Sequence, residues 1–242
     1  MFLILLSISI LQNQDTVQTD QLSKNLARIN LSQWIDPYGR QPKPYSQWLT
    51  EVDQGLLNYL FIGNVVSEGK FSTQNWVDIV VNSKIYPDLI AELNQFRQDL
   101  INAGYEVRID TVRGMSHQAL RSHLNSITGL VGAIFVGEMP VAWYESNGFG
   151  AWEEYPCDLY FTDLNGTWTD SDNDGLFDGH TGNVAPEIWL GRIYGRTLTW
   201  DNEIRLYRRY FQKNHLYRTH QLSLPQRGLS YVDDDWYGWG AC

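Results

Sequence analysis

Four aspartates fall within nine consecutive residues, Asp170-Ser171-Asp172-Asn173-Asp174-Gly175-Leu176-Phe177-Asp178. Alternate residues of a tight loop direct carboxylates at one centre, and calcium takes roughly six to eight oxygen ligands. Asp170, Asp172 and Asp174 supply three side chains in that pattern. Gly175 permits the sharp turn, Leu176 would give a backbone carbonyl, and Asp178 a direct or water-mediated contact. Without a cation, carboxylates this close repel one another. The expected chemistry is Ca2+ binding in a structural role, because nothing nearby resembles a water-activating centre. Magnesium suits an all-carboxylate loop less well. A full EF-hand needs a bidentate Glu at the twelfth loop position, where Thr181 stands. No amphipathic helix precedes Asp170 either. Glu187, Asp163 and Asp158 all remain open as the substitute ligand, and His180 is an accessory candidate or a solvated loop residue.

The charge distribution agrees. The chain has 18 Lys and Arg against 28 Asp and Glu, a net charge of −10. No Lys or Arg lies between Arg121 and Arg192, and that stretch holds eleven of the acids, from Glu138 to Glu187. Phosphate backbones need clustered Lys and Arg, so nucleic acid is excluded as a partner of this block. The 43% hydrophobic content is enough for a core, so global disorder is excluded too. Two cysteines make no disulfide framework, and no CxxC pair is present for zinc.

Other groups carry weaker signals. Tyr160 to Trp168 reads YFTDLNGTW. This resembles the nucleophile motif of haloacid dehalogenase phosphotransferases, where Asp163 would attack phosphorus. The competing reading is a turn that leads into the acidic loop. Asp233, Asp234 and Asp235 end an expected strand, either as a metal or cation site or as a polar strand exit. His117 and His123 lie six apart and do not share a helix face, while His215 and His220 end a long helix. No His has a Ser or Cys beside it in a nucleophile setting. Cys157 sits among acids that would raise its pKa, which fits a structural thiol. Arg205, Arg208, Arg209, Lys213 and Arg218 form a basic face, solvated or paired with the acidic block.

The frame around these groups reads as β-α-β-α-β. Val77 to Val81 is a β-branched buried strand. Tyr86-Pro87-Asp88 opens a helix with Leu89, Leu93, Phe96 and Leu100 inward, ended by Gly104. Tyr105 to Val112 alternates as a strand. Ser116 caps a helix with Leu120, Leu124 and Ile127 inward, and Val131 to Val136 is a third strand. Past the acidic block come a strand over Glu187 to Ile193, a helix over Thr199 to Tyr217 and a strand over Leu229 to Val232. Right-handed crossovers make the sheet parallel. No helix follows the last strand, so the sheet is expected to be incomplete at the C-terminus and the chain a fragment.

The N-terminal region divides differently. Phe2 to Leu11 is an apolar run too short to span a membrane and fits a signal peptide within residues 1–20. Secretion or the cell envelope is the expected location, with no stable membrane span. Residues 21–71 read as a leader or linker, in which 46–66 form a helix carrying Trp48, Val52, Leu56, Leu57 and Leu60, then an apolar run. The α/β domain then covers 72–242, with an acidic insertion at about 150–186.

The order of the pieces resembles the N-terminal part of the gingipain-type cysteine peptidases, in their secreted bacterial branch. The residues that carry it are Val136 to Val141 (VGEMPV), Asp158 to Tyr160 (DLY) and Gly191-Arg192, with the Asp-rich loop between the last two. The resemblance spans roughly 72–240. It implies a three-layer, parallel-sheet fold of caspase-hemoglobinase type, Rossmann-like in layout. It also implies proteolysis of protein or peptide substrates by the full-length protein. The family's His-Gly and Cys are expected downstream of LSYVDDDW, so no catalytic residue is assigned here. A non-catalytic extracellular calcium-binding module is the alternative, with the Asp163 phosphotransferase as a third reading.

Overall fold

The computed structural model describes residues 43–68, 75–147 and 152–223. The signal-type run Phe2 to Leu11, the strand expected over Leu229 to Val232, Asp233 to Asp235 and Cys242 lie outside the described residues.

The β-branched run after Trp76 forms β2 (Trp76–Asn82), whose five central residues are buried. Two further strands follow at helical crossovers: β3 (Glu106–Gly114) and β4 (Leu130–Val136). The helix between β2 and β3 is α2 (Ile90–Asn102), entered through a 3-10 turn that carries Pro87. Gly104 ends it with φ +96°, the left-handed conformation that glycine adopts without a Cβ clash. Between β3 and β4 runs α3 (His117–Ser126), where the Ser116 hydroxyl accepts from the Ala119 N–H at 3.2 Å. After the acidic block come β9 (Trp189–Ile193) and α5 (Glu203–Arg218).

These strands form one mostly parallel sheet with helices on both faces. Its order is β1-β3-β2-β4-β9, with β1 (Leu60–Glu68) antiparallel and the rest parallel. Alternation along the strands builds two cores. Val77, Ile79, Val81, Ile109 and Ile134 pack against Leu93, Phe96, Tyr207 and Phe211 of α2 and α5. Val80, Val112, Ala133 and Phe135 pack against Leu120 and Leu124 of α3 and against Tyr160 and Phe161. Among the described residues no helix is long and apolar enough to cross a membrane.

The largest departure from the expected layout is at the start. The single helix expected over 46–66 is a short α1 (Tyr45–Glu51), a 3-10 turn (Gln54–Leu56) and then β1 (Leu60–Glu68). The run after Leu60 is rich in strand-forming residues, and pairing with the exposed edge of β3 satisfies its backbone groups. The main sheet therefore recruits part of the expected leader. The long helix also starts later than expected. Asn202 is its cap, accepting from the Ile204 and Arg205 N–H groups. Asp201 precedes the cap and pairs with Arg205 and Arg209. The last strand begins at Trp189, and Glu187 lies before it.

The acidic insertion is ordered by small elements. A hairpin joins β5 (Trp143–Ser146) to β6 (Glu153–Pro156). One helical turn, α4 (Leu159–Thr162), follows. A second antiparallel pair joins β7 (Thr167–Thr169) to β8 (Gly179–Thr181), and the Asp-rich loop is the connection between them.

Candidate metal centre

The Asp-rich loop turns at Gly175, which has φ +98°. Local bonds hold its shape. The Asp170 carboxylate accepts from the Asp174 and Gly175 N–H groups at 3.2 and 3.0 Å. Asp174 Oδ1 accepts from the Leu176 N–H at 2.9 Å. Asp178 accepts from the Ser171 N–H and hydroxyl. Leu176 buries its side chain, anchoring the loop to the protein.

Carboxylate oxygens of Asp170, Asp172 and Asp174 lie within 4.8 Å of one another, a grouping that could hold a metal ion. Asp172 belongs to a second such group with Asp178 and Glu145. Glu145 is the residue that sequence reasoning missed. It reaches the loop because β5 docks on it: Phe177 N–H donates to Trp143 O, and Glu145 N–H to Phe177 O, each at 2.8 Å. That bridge completes a set of four carboxylates around that of Asp172: Asp170, Asp174, Asp178 and Glu145. Burial, and then repulsion from Asp174, Asp172 and Asp178, raises the Glu145 pKa. An all-oxygen donor set with uncompensated repulsion matches the chemistry of a hard divalent cation.

The three acids considered for the twelfth position are engaged elsewhere. Glu187 accepts from the Leu164 N–H at 2.7 Å and from the Asn165 amide. Asp158 pairs with Arg192. Asp163 is fully buried and accepts from His180 Nε2 at 2.6 Å, the Gly166 N–H at 2.8 Å and Trp168 Nε1 at 3.1 Å. Burial alone would raise its pKa, but these donors outweigh it and the pKa is lowered. A nucleophile needs an open face for its substrate, and Asp163 has none. It is the knot that ties β7 and β8 together, and Arg121 of α3 reinforces it by donating to the backbone oxygens of Asp163 and Gly166. His180 is thus bound to Asp163 and is not a solvated loop residue.

Other candidates resolve likewise. Burial lowers the His117 pKa to about 4, and its ring packs edge-on against Tyr160 and Phe177. His215 Nδ1 meets Asp99 at 2.9 Å. Burial is the first cause of a raised Cys157 pKa, with Asp158 adding to it.

Arg192, at the end of β9, forms the second notable geometry. Its guanidinium holds Asp158 through Nε and Nη2, each at 2.7 Å, and donates to Pro140 O at 3.0 Å. It also lies 5.1 Å from the ring centre of Phe135. One side chain thereby joins the segment after β4, the start of α4 and β9.

A third group that could hold a metal, Asp78, Asp110 and His123, lies under α3. Arg108 donates to Asp110 Oδ2 from Nε at 2.9 Å and from Nη2 at 2.7 Å. Asn64 of β1 donates to Asp110 Oδ1 at 2.6 Å. The two carboxylates face two cationic partners, so charge balances without an ion. Asp78 interrupts the otherwise apolar run Val77 to Val81, and that interruption was the available sequence signal.

No family model, curated protein or solved structure matches this chain.

Proposed function

We propose that the chain is the N-terminal α/β portion of a secreted gingipain-like cysteine endopeptidase, in which the Asp170 to Asp178 loop and Glu145 hold a structural calcium ion. The observation that carries the peptidase reading is the knot at Arg192. Val136 to Val141, Asp158 to Tyr160 and Gly191-Arg192 are the segments on which the resemblance rests, and they are far apart in sequence. They converge on this guanidinium through Pro140, Asp158 and Arg192 itself. A shared structural knot is the kind of feature that keeps short motifs together. The parallel strand order, second-first-third-fourth in chain order, is that of a doubly wound α/β sheet, with which the reading is compatible.

In this reading Asp170, Asp172, Asp174, Asp178 and Glu145, with the Leu176 carbonyl, would hold calcium. The ion would cancel repulsion and fasten the β5 hairpin to the loop. Thiolate attack on a peptide carbonyl belongs to residues beyond these 242. The decisive test of the peptidase reading is the coding sequence after Cys242. A His-Gly followed by a strand ending in Cys supports it, and a stop codon there favours the non-catalytic calcium module. Calcium is tested separately by titration of the purified chain. Saturating calcium should raise Tm by roughly 5–10 °C, as follows from about 2.7 kcal/mol at a hundredfold excess over Kd. The Asp172→Ala, Asp174→Ala double variant should lose that shift, and no shift in the parent would sink the metal claim.

A further inference from the structure

Parallel strands gather their carboxyl ends at one edge, and ligands of open α/β sheets bind in the crevice where the strand order reverses. Here the reversal lies at β2, because β3 and β4 flank it on opposite sides. A cavity of about 190 Å³ sits at this edge. Its walls include Asn82 and Lys84 after β2, Arg113 and Gly114 of β3, and Glu138 after β4.

The charges on these walls are not all free. Glu138 is paired with Arg196. Glu51 is paired with Lys43 at 2.7 Å. Asp53 Oδ1 accepts from the Gly55 N–H at 3.0 Å. Lys84 and Arg113 differ: both are exposed, and among the described residues neither side chain has a hydrogen bond or ion pair. Helices α2 and α3 also begin at this edge, after β2 and β3, so their positive dipole ends face the same side. Two uncommitted cations on the walls of one cavity, against the single Asp53 carboxylate that has no cationic partner among the described residues, favour an anion. The guanidinium fork of Arg113 suits a planar or tetrahedral oxyanion, and the Lys84 ammonium adds a point charge.

We propose that the crevice at the carboxyl ends of β2, β3 and β4 binds a small oxyanion, the phosphate or carboxylate group of a ligand, through Lys84 and Arg113. This site is independent of the calcium and peptidase readings, and its failure would leave both standing.

The test is calorimetric titration of the whole chain with inorganic phosphate and, separately, with succinate. Saturable binding of at least one is expected, weakening as salt rises. The Lys84→Gln, Arg113→Gln double variant should bind at least about tenfold more weakly, as loss of charge-assisted hydrogen bonds implies. Both side chains are exposed, so the variant should keep the parent's circular dichroism. Tighter phosphate binding assigns the site to phosphate esters, and tighter succinate binding to carboxylates. A Lys213→Gln, Arg218→Gln variant removes the same net charge from α5 and should bind as the parent does. Lack of saturation by either anion, an unaffected double variant, or equal weakening in the α5 control would each overturn the proposal.

Discussion

His123 Nε2 lies 2.9 Å from Asp110 Oδ2, and the same nitrogen is 3.0 Å from Asp78 Oδ2. One imidazole on α3 thus bridges two fully buried carboxylates on adjacent strands. Burial alone would lower the His123 pKa, but the hydrogen bonds to Asp110 and Asp78 outweigh it and hold it at about 9. Burial likewise raises the Asp78 pKa, and Asp78 Oδ1 has no hydrogen-bond partner among the described residues. His123 therefore holds its proton more tightly than it does in the unfolded chain, while at Asp110 burial is outweighed by the donors His123, Asn64 and Arg108, which lower the pKa.

That asymmetry sets a pH dependence. The folded pKa of His123 lies above its unfolded value of 6.5. Its contribution to stability is complete below about 6.5 and is lost as pH rises through about 9. Urea midpoints measured from pH 6 to pH 10 should fall across that window. His123→Gln should flatten the slope. It should also destabilise the protein by about 3–5 kcal/mol, because two buried carboxylates lose a cationic partner.

Glu145 yields a second pH effect. Its pKa is raised, so the calcium-free protein should lose stability as pH rises through the Glu145 folded pKa. A bound cation removes the repulsion, so calcium should flatten this limb of the profile. Glu145→Gln should do the same without calcium and should weaken calcium binding in a fluorescence titration. Unchanged affinity in that variant would remove Glu145 from the ligand set.

Arg192→Lys separates charge from geometry. Lysine keeps the charge but not the fork that holds Asp158 and Pro140 together. A loss of about 1–2 kcal/mol is expected by chemical denaturation, from replacement of charge-assisted bonds. Calcium affinity should change less than stability, because Arg192 touches none of the loop carboxylates.

Asp163→Asn discriminates between the two readings of that residue. An amide cannot accept from all three of its donors, so a stability loss of about 1–3 kcal/mol is expected. The lowered pKa of Asp163 also predicts that this contribution fades as pH falls through its folded pKa. Phosphatase activity in the parent that disappears in Asp163→Asn would revive the phosphotransferase reading.

Cys157 should be a slow nucleophile. Its raised pKa leaves little thiolate near neutrality. In a Cys242→Ser background, its alkylation by iodoacetamide at pH 8 should be slower than that of free cysteine. Reaction as fast as free cysteine would contradict the burial argument.

The sequence by itself determined the central α/β frame. Val77 to Val81, the Leu89 to Leu100 stripe, the Ser116 cap and Gly104 each encode a local preference that the tertiary structure respects. It also determined the loop from Asp170 to Asp178, because that spacing acts within one turn of chain. Tertiary structure decided what depends on distant partners. Strand β1 forms because β3 offers its edge, Val107 to Gly114, to Leu60–Glu68, a pairing that helical periodicity over 46–66 conceals. Glu145 joins the acidic loop only because β5 docks on Phe177. Glu187, Asp158 and Asp163 leave the ligand list because Asn165, Arg192 and His180 claim them first. Composition supplies the carboxylates. Which of them share a centre is set by hydrogen bonds between segments that sequence spacing does not bring together.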